Sequence, residues 1–277
     1  YTGAYLCDED FCPSGQKVTD LEFTKEGLLV AGYGDWNSNI DSFGPDPVAV
    51  YETDPRTGKT VNGPYPLGTE AFDVIREFGG DLYIPTTDPS DRIGYGQSRN
   101  NRSGVWTNRS GDWTLIPSPA DMIHTFDALV TQDETVYMSG SISRDGGTGI
   151  IYALHPDGSS DEVLAASDGS GWSRVHSLAE ASDGRIAAAT SSMGGPATVV
   201  LIDPESGSVK DTGTAVDTAK KLHSFAGSVI GVSGRYLVDV DSGSRHELPG
   251  SGRPTDIDVA DDGKAYVLAS DGIYSVS

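Results

Sequence analysis

Lys17-Val-Thr-Asp20-Leu-Glu-Phe-Thr-Lys-Glu-Gly27-Leu-Leu-Val-Ala31 joins an alternating strand, a polar anchor at Asp20, a glycine turn and a second apolar strand. The pattern recurs along the chain. A second copy has Phe72-Asp73 with Gly80, and a third has Phe126-Asp127 with Glu134 at the turn. The fourth has His176-Ser177 with Gly184. In the fifth, His223-Ser224, the turn is shorter, and the sixth has Thr255-Asp256 with Gly263. The anchors are 53, 54, 50, 47 and 32 residues apart. Periods of roughly 40 to 50 residues belong to propeller blades of four strands. The later strands are legible too. Val48-Ala-Val-Tyr-Glu-Thr-Asp54-Pro leads to Thr57-Gly58, and Thr198-Val-Val-Leu-Ile-Asp203-Pro leads to Ser206-Gly207. Both read as strand, Asp-Pro turn, strand.

The expectation is an all-β chain, residues 1–277 forming one six-bladed β-propeller domain. A five-bladed ring, with the last copy merged or packed outside, is the alternative. The sixth copy has room for only three strands before Ser277. The alternating Tyr1-Thr-Gly-Ala-Tyr-Leu6 is the expected fourth, which would leave only short, protected edges.

Charge is the strongest compositional fact. The 277 residues carry 41 Asp and Glu against 19 Lys and Arg, a net charge of −22. The acids are dispersed, which reads as a solvated folded surface and not as an acidic tail. Such a surface self-repels at low salt and is relieved by screening, so a halophilic source is expected. Nucleic acid and anionic membranes are unfavourable partners, because each needs a basic footprint. No apolar run is long enough for a transmembrane helix, so no membrane insertion is expected. Cys7 and Cys12 are the only cysteines. A short local disulfide is expected, consistent with an extracellular location. A metal site with Asp8 or Asp10, or two free thiols, are the alternatives. Asn101 and Asn108 open two glycosylation sequons.

Chemistry is sparser. The chain has no zinc helix motif, P-loop or Gly-x-Ser-x-Gly elbow, and no cofactor is expected. Calcium could sit where acids cluster, at Asp41 to Asp46 or Asp88 to Asp91, although neither segment forms an EF-hand loop. Three residues before the anchors stand Lys17, Glu70, His124, Arg174, Lys221 and Arg253. Five of these six are basic or can become so, in a chain where such residues are scarce. In a propeller they would encircle one mouth of the channel and take an anionic ligand. Local salt bridges from these residues to the anchors Asp20, Asp73, Asp127 and Asp256, pinning neighbouring blades, are the competing account. A second candidate is the loop Gly32-Tyr33-Gly-Asp-Trp36-Asn37-Ser-Asn39, whose aromatics beside amides suit sugar or protein binding.

Leu28-Leu-Val-Ala-Gly-Tyr-Gly-Asp-Trp-Asn-Ser-Asn39, before Val48-Ala-Val-Tyr51, resembles the opening blade of propeller proteins of tailed phages and haloarchaeal viruses. The resemblance covers about one blade. It implies a virion surface component such as a capsid turret, head fibre or tail fibre. Such a component would sit among other virion or surface-layer subunits as an oligomer and engage a host glycan or protein. It supplies no catalytic residues. A non-enzymatic binding propeller is therefore expected. The alternative is a secreted carbohydrate-active enzyme, a lyase or glycosidase, on the same scaffold.

Overall fold

The computed structural model describes residues 17–24, 27–34, 49–66, 74–86, 104–119, 122–142, 148–165, 172–192, 195–217, 221–250, 252, 254–259 and 263–276. Two compact units divide the chain, Tyr1–Ala128 and Leu129–Ser277. All secondary structure among the described residues is strand, except for turns and bends.

In the first unit, β1 (Lys17–Phe23), β2 (Leu29–Gly34), β3 (Ala49–Asp54) and β4 (Lys59–Pro66) form an antiparallel meander. A second meander contains β5 (Arg76–Phe78), β6 (Asp81–Thr86), β7 (Gly104–Thr107) and β8 (Thr114–Pro117). Val50, Ile75, Leu82 and Ile84 form the core here, with Tyr65, Trp106 and Trp113 packed against it. The boundary between the units falls inside β9 (Met122–Val130).

In the third sheet, β9 is followed by β10 (Val136–Ile142), β11 (Thr148–Leu154) and β12 (Ser160–Ala165). The fourth comprises β13 (Arg174–Glu180), β14 (Ile186–Ser191), β15 (Ala197–Ile202) and β16 (Val209–Val216). The fifth comprises β17 (His223–Phe225), β18 (Ser228–Ser233), β19 (Tyr236–Asp239) and β20 (Arg245–Glu247). The sixth has three strands among the described residues, β21 (Pro254–Val259), β22 (Ala265–Ala269) and β23 (Gly272–Val276). The expected fourth strand, Tyr1 to Leu6, lies outside the described residues.

The repeat and the sheets coincide. Asp20, Asp127, Ser177, Ser224 and Asp256 each lie in the first strand of a sheet, while Asp73 lies outside the described residues. Both faces of the fourth sheet are buried, as its alternation shows. Leu178, Ile186, Ala188, Val200 and Ile202 pack with Ile151 and Leu164 of the third sheet. The intervening Ala179, Ala187, Ala189, Val199 and Leu201 pack with Leu222, Val229 and Val240. A one-residue slip would exchange these two sets, so burial on both sides fixes the register.

Two local devices recur. In β1, β13 and β21 the ladder shifts between Val18 and Asp20, Val175 and Ser177, and Pro254 and Asp256. Each shift inserts one residue just before the anchor, and such a bulge bends the strand and re-aims the side chains around it. The turns after β3 and β15 are the second device. Asp203 Oδ1 accepts the Glu205 and Ser206 amides, both at 3.0 Å, and Gly207 N–H donates to the Asp203 carbonyl. Gly207 sits at φ 66°, where a Cβ would be strained. Asp54 and Gly58 repeat the arrangement. The shorter turn of the fifth copy is a two-residue hairpin, Phe225 pairing with Ser228 around Ala226 and Gly227. Both central residues have positive φ, as the twist of a tight hairpin requires.

Candidate functional site

The anchors point to neighbouring sheets. In the first unit Asp127 is fully buried and takes a two-pronged contact from Arg76, which stands three residues after the second anchor. Arg76 Nε donates to Oδ1 at 2.9 Å and Nη2 to Oδ2 at 2.5 Å. The Ala128 amide adds a third donor to Oδ1 at 2.8 Å. In the second unit the Ser224 hydroxyl donates to the carbonyl of Glu180, which stands three residues after the fourth anchor. So the residue at anchor plus three meets the next anchor in both units. Ser177 is tied as well, its hydroxyl accepting the Leu222 amide at 2.8 Å. His223 Nδ1 lies 3.9 Å from Asp258 on β21.

These ties consume much of the polar chemistry of the first strands. Three residues before the anchors, exposure varies from one copy to the next. Arg174 opens β13 and is exposed. Lys221 also stands at the end of the sheets where β13 and β17 begin, but it is only 3% exposed, so its stem and ammonium are buried. His124 is half-buried and stacks on Phe126 with ring centroids 5.7 Å apart. Lys17 opens β1 and Tyr33 lies in β2, each placed by backbone alone. Arg253, Trp36, Asn37, Cys7, Cys12 and both suggested calcium segments lie outside the described residues.

Beside Arg174 is a feature that sequence reasoning missed. His176 is the bulged residue of β13, and its Nε2 lies 2.7 Å from Ser191 Oγ. Burial, helped by the nearby Arg174 charge, pushes its pKa down to about 4. The imidazole is therefore neutral at pH 7 and shares a hydrogen bond with the Ser191 hydroxyl. An imidazole with so low a pKa is a weak general base. A second hydroxyl–imidazole chain lies at the opposite end of the third sheet. Thr135 Oγ1 is 3.4 Å from His155 Nδ1, and His155 Nε2 is 3.0 Å from Asp161 Oδ2. Thr135 is 1% exposed, so this chain braces two adjacent hairpin turns and offers a substrate no hydroxyl.

The two ends of the second unit's sheets differ in charge. One end carries the acidic hairpin turns. There the Ser159 hydroxyl and amide hold Asp157 below the ordinary carboxylate range, the Arg185 side chain does so for Asp183, and the Ser206 amide for Asp203. At the other end β13 and β19 begin, with exposed Arg174 and with Arg235 next to Tyr236. Among the described residues no group of three or more His, Cys, Asp or Glu side chains is placed to hold a metal.

No family model and no curated protein matches the chain. Solved structures do. The extracellular domain of a proposed hybrid two-component system from B. thetaiotaomicron superposes with a TM-score of 0.58 at 14% identity, covering 96% of this chain and 34% of that one. A proposed gluconolactonase superposes at 0.53 and 13% identity, covering 95% and 92%. Puromycin hydrolase superposes at 0.55 and 14%, covering 93% and 44%. The fold is a β-propeller. The chain spans about a third of the sensor domain and less than half of the hydrolase. At such identities the likeness carries the fold and no activity.

Proposed function

We propose that this chain is a non-enzymatic binding propeller displayed on an extracellular surface, and that Arg174 receives an anionic group of its ligand. The carrying observation is an exposed guanidinium in a chain where cations are scarce. Arg174, three residues before an anchor, stands exposed at the start of β13. Its planar fork suits a carboxylate or sulfate. Neutral His176 beside it adds no competing charge at pH 7. The match to a sensor's extracellular domain is compatible with binding outside the cell. The one-blade resemblance favours a virion surface, on a turret, head fibre or tail, and the −22 charge favours a salty medium.

The test is binding of wild type and Arg174→Gln to immobilised acidic and neutral polysaccharides in about 1 M salt, where the screening length is about 3 Å. Selective loss of acidic-ligand binding, with an unchanged melting curve, supports the reading. Equal binding by the variant removes Arg174 as the contact. Release of reducing ends would instead favour the carbohydrate-active enzyme.

A further inference from the structure

Arg245 stands out in a chain where acids outnumber bases by 41 to 19. Its guanidinium lies 5.8 Å from the centroid of the Tyr236 ring, and both residues are exposed. Among the described residues no carboxylate lies within ion-pair distance of it. The nearest acid in its own strand, Glu247, is taken by Arg235, whose Nη2 is 3.4 Å from Glu247 Oε1. Arg235 is also held by a hydrogen bond from Nη2 to the Gly250 carbonyl. Tyr236 pairs with Glu247 and Val238 with Arg245, so Tyr236, Arg245 and Glu247 share one face of the β19–β20 hairpin.

The place of this group matters. First and third strands of a meander run the same way, so β13, β15, β17 and β19 begin at a common end of their sheets. The contacts of Leu222 with Ser177 and of Ser224 with Glu180 align β17 with β13 in direction. Arg235 and Tyr236 therefore lie at the same end as Arg174, one sheet further along. An arginine laid on an aromatic ring is already ordered, so it loses less freedom when its planar fork meets an oxyanion. Tyr236 remains 37% exposed. An amphipathic ring beside a cation suits a sugar, with an apolar face to cover and an anionic group to hold.

We propose that Tyr236 and Arg245, with Arg235 beside them, form a second subsite at the Arg174 end of this unit. The ligand is a polysaccharide bearing repeated carboxylate or sulfate groups. The proposal rests on the reading of Arg174 as a ligand contact and extends it from one anion to a polymer. Two subsites on one chain raise the affinity for a repeating ligand through effective concentration.

The probes are polygalacturonate for carboxylates, dextran sulfate for sulfates, and free galacturonic acid, each titrated in about 1 M salt. Arg245→Gln and Tyr236→Ala should each weaken binding of the preferred polymer about tenfold, the first by loss of one charge-assisted contact and the second by loss of the ring that orders the guanidinium and covers the sugar. Free galacturonic acid should lose one of its two sites while its affinity for the Arg174 site is unchanged, and Arg245→Lys should recover only part of the loss of polymer binding. Melting curves confirm that these exposed variants fold. Unchanged polymer affinity in both variants overturns the subsite. If Arg174→Gln abolishes binding while Arg245→Gln changes nothing, the first reading stands and this one falls. The reverse result upholds the patch and removes Arg174. Failure of wild type to bind either polymer overturns the glycan assignment, as does preferential retention on a poly-glutamate peptide.

Discussion

The tie between Arg76 and Asp127 in the first unit and the tie between Glu180 and Ser224 in the second occupy the same two places in the repeat. Their chemistry is unlike. The first is a two-pronged ion pair around a fully buried carboxylate, the guanidinium side chain being 14% exposed. The second is a neutral hydroxyl donating to a backbone carbonyl at the surface. Shared position with different chemistry means that the register of the repeat is held by backbone geometry and packing, and that side chains fill the junction as burial demands. A buried carboxylate must have partners, whereas an exposed hydroxyl can exchange a protein acceptor for water.

The largest expected effect follows from that asymmetry. Asp127→Ala leaves the Arg76 guanidinium largely buried without its counter-charge, and should cost about 3–5 kcal/mol in a denaturant melt. Replacing both residues, Arg76→Met with Asp127→Leu, should recover most of the loss, because a well-packed apolar pair can match a buried ion pair. A single substitution costing less than about 1 kcal/mol would make this tie no stronger than a surface pair and erase the contrast.

Next comes acid. His176 belongs to the neutral chemistry of the second unit, with a folded pKa of about 4 set by burial and then by Arg174. Its unfolded value is about 6.5. Between these pH values the unfolded chain binds more protons than the folded one, so stability rises with pH across the window and is lost as pH falls through it. The loss from this group is bounded at about 3 kcal/mol. Melts of wild type and His176→Gln between pH 7 and 4 should diverge, the variant showing the shallower slope. Parallel curves would mean that His176 protonates freely in the folded state.

Ser177→Ala should rank third. It removes the acceptor of the buried Leu222 amide, and an unsatisfied buried N–H costs roughly 1–3 kcal/mol. Ser177→Thr, which keeps the hydroxyl, separates loss of the bond from loss of fit.

The repeat was legible because its signals are local. The anchors, the glycines seven residues later and the Asp-Pro turns recur along the chain, and the sheets follow them. The bulges were not legible, because neither threonine, at Thr19 and Thr255, nor histidine, at His176, is a residue type that marks an inserted position. The ties were half legible. Anchors pinning neighbouring sheets were foreseen, but the partner was sought three residues before the anchor and lies three residues after the preceding one. Arg76 and Glu180 have opposite charges, and Glu180 contributes only its carbonyl, so no composition signal marks the position. Lys221 reads as a surface cation until packing around the start of β17 buries it. Arg245 and Tyr236 come together through hairpin register, which residue type alone does not reveal.

The smallest expected effect tests whether the junction itself is interchangeable. Glu180→Arg with Ser224→Asp installs in the second unit the residue pair that the first unit carries. If burial and not residue identity makes the Arg76–Asp127 tie strong, the transplant should be weak. Ser224 is exposed, so the new pair would be solvated and screened, worth roughly 0.2–1 kcal/mol. That small gain would be offset by loss of the hydroxyl bond to the Glu180 carbonyl, worth about 0.5–1.5 kcal/mol. The double variant should therefore melt within about 1 kcal/mol of wild type, and added salt should remove any benefit. A double-mutant cycle on these two positions measures the coupling directly. Coupling of several kcal/mol would mean that the junction creates a strong ion pair even at the surface, and the difference between the two units would then lie in sequence choice and not in solvent exposure.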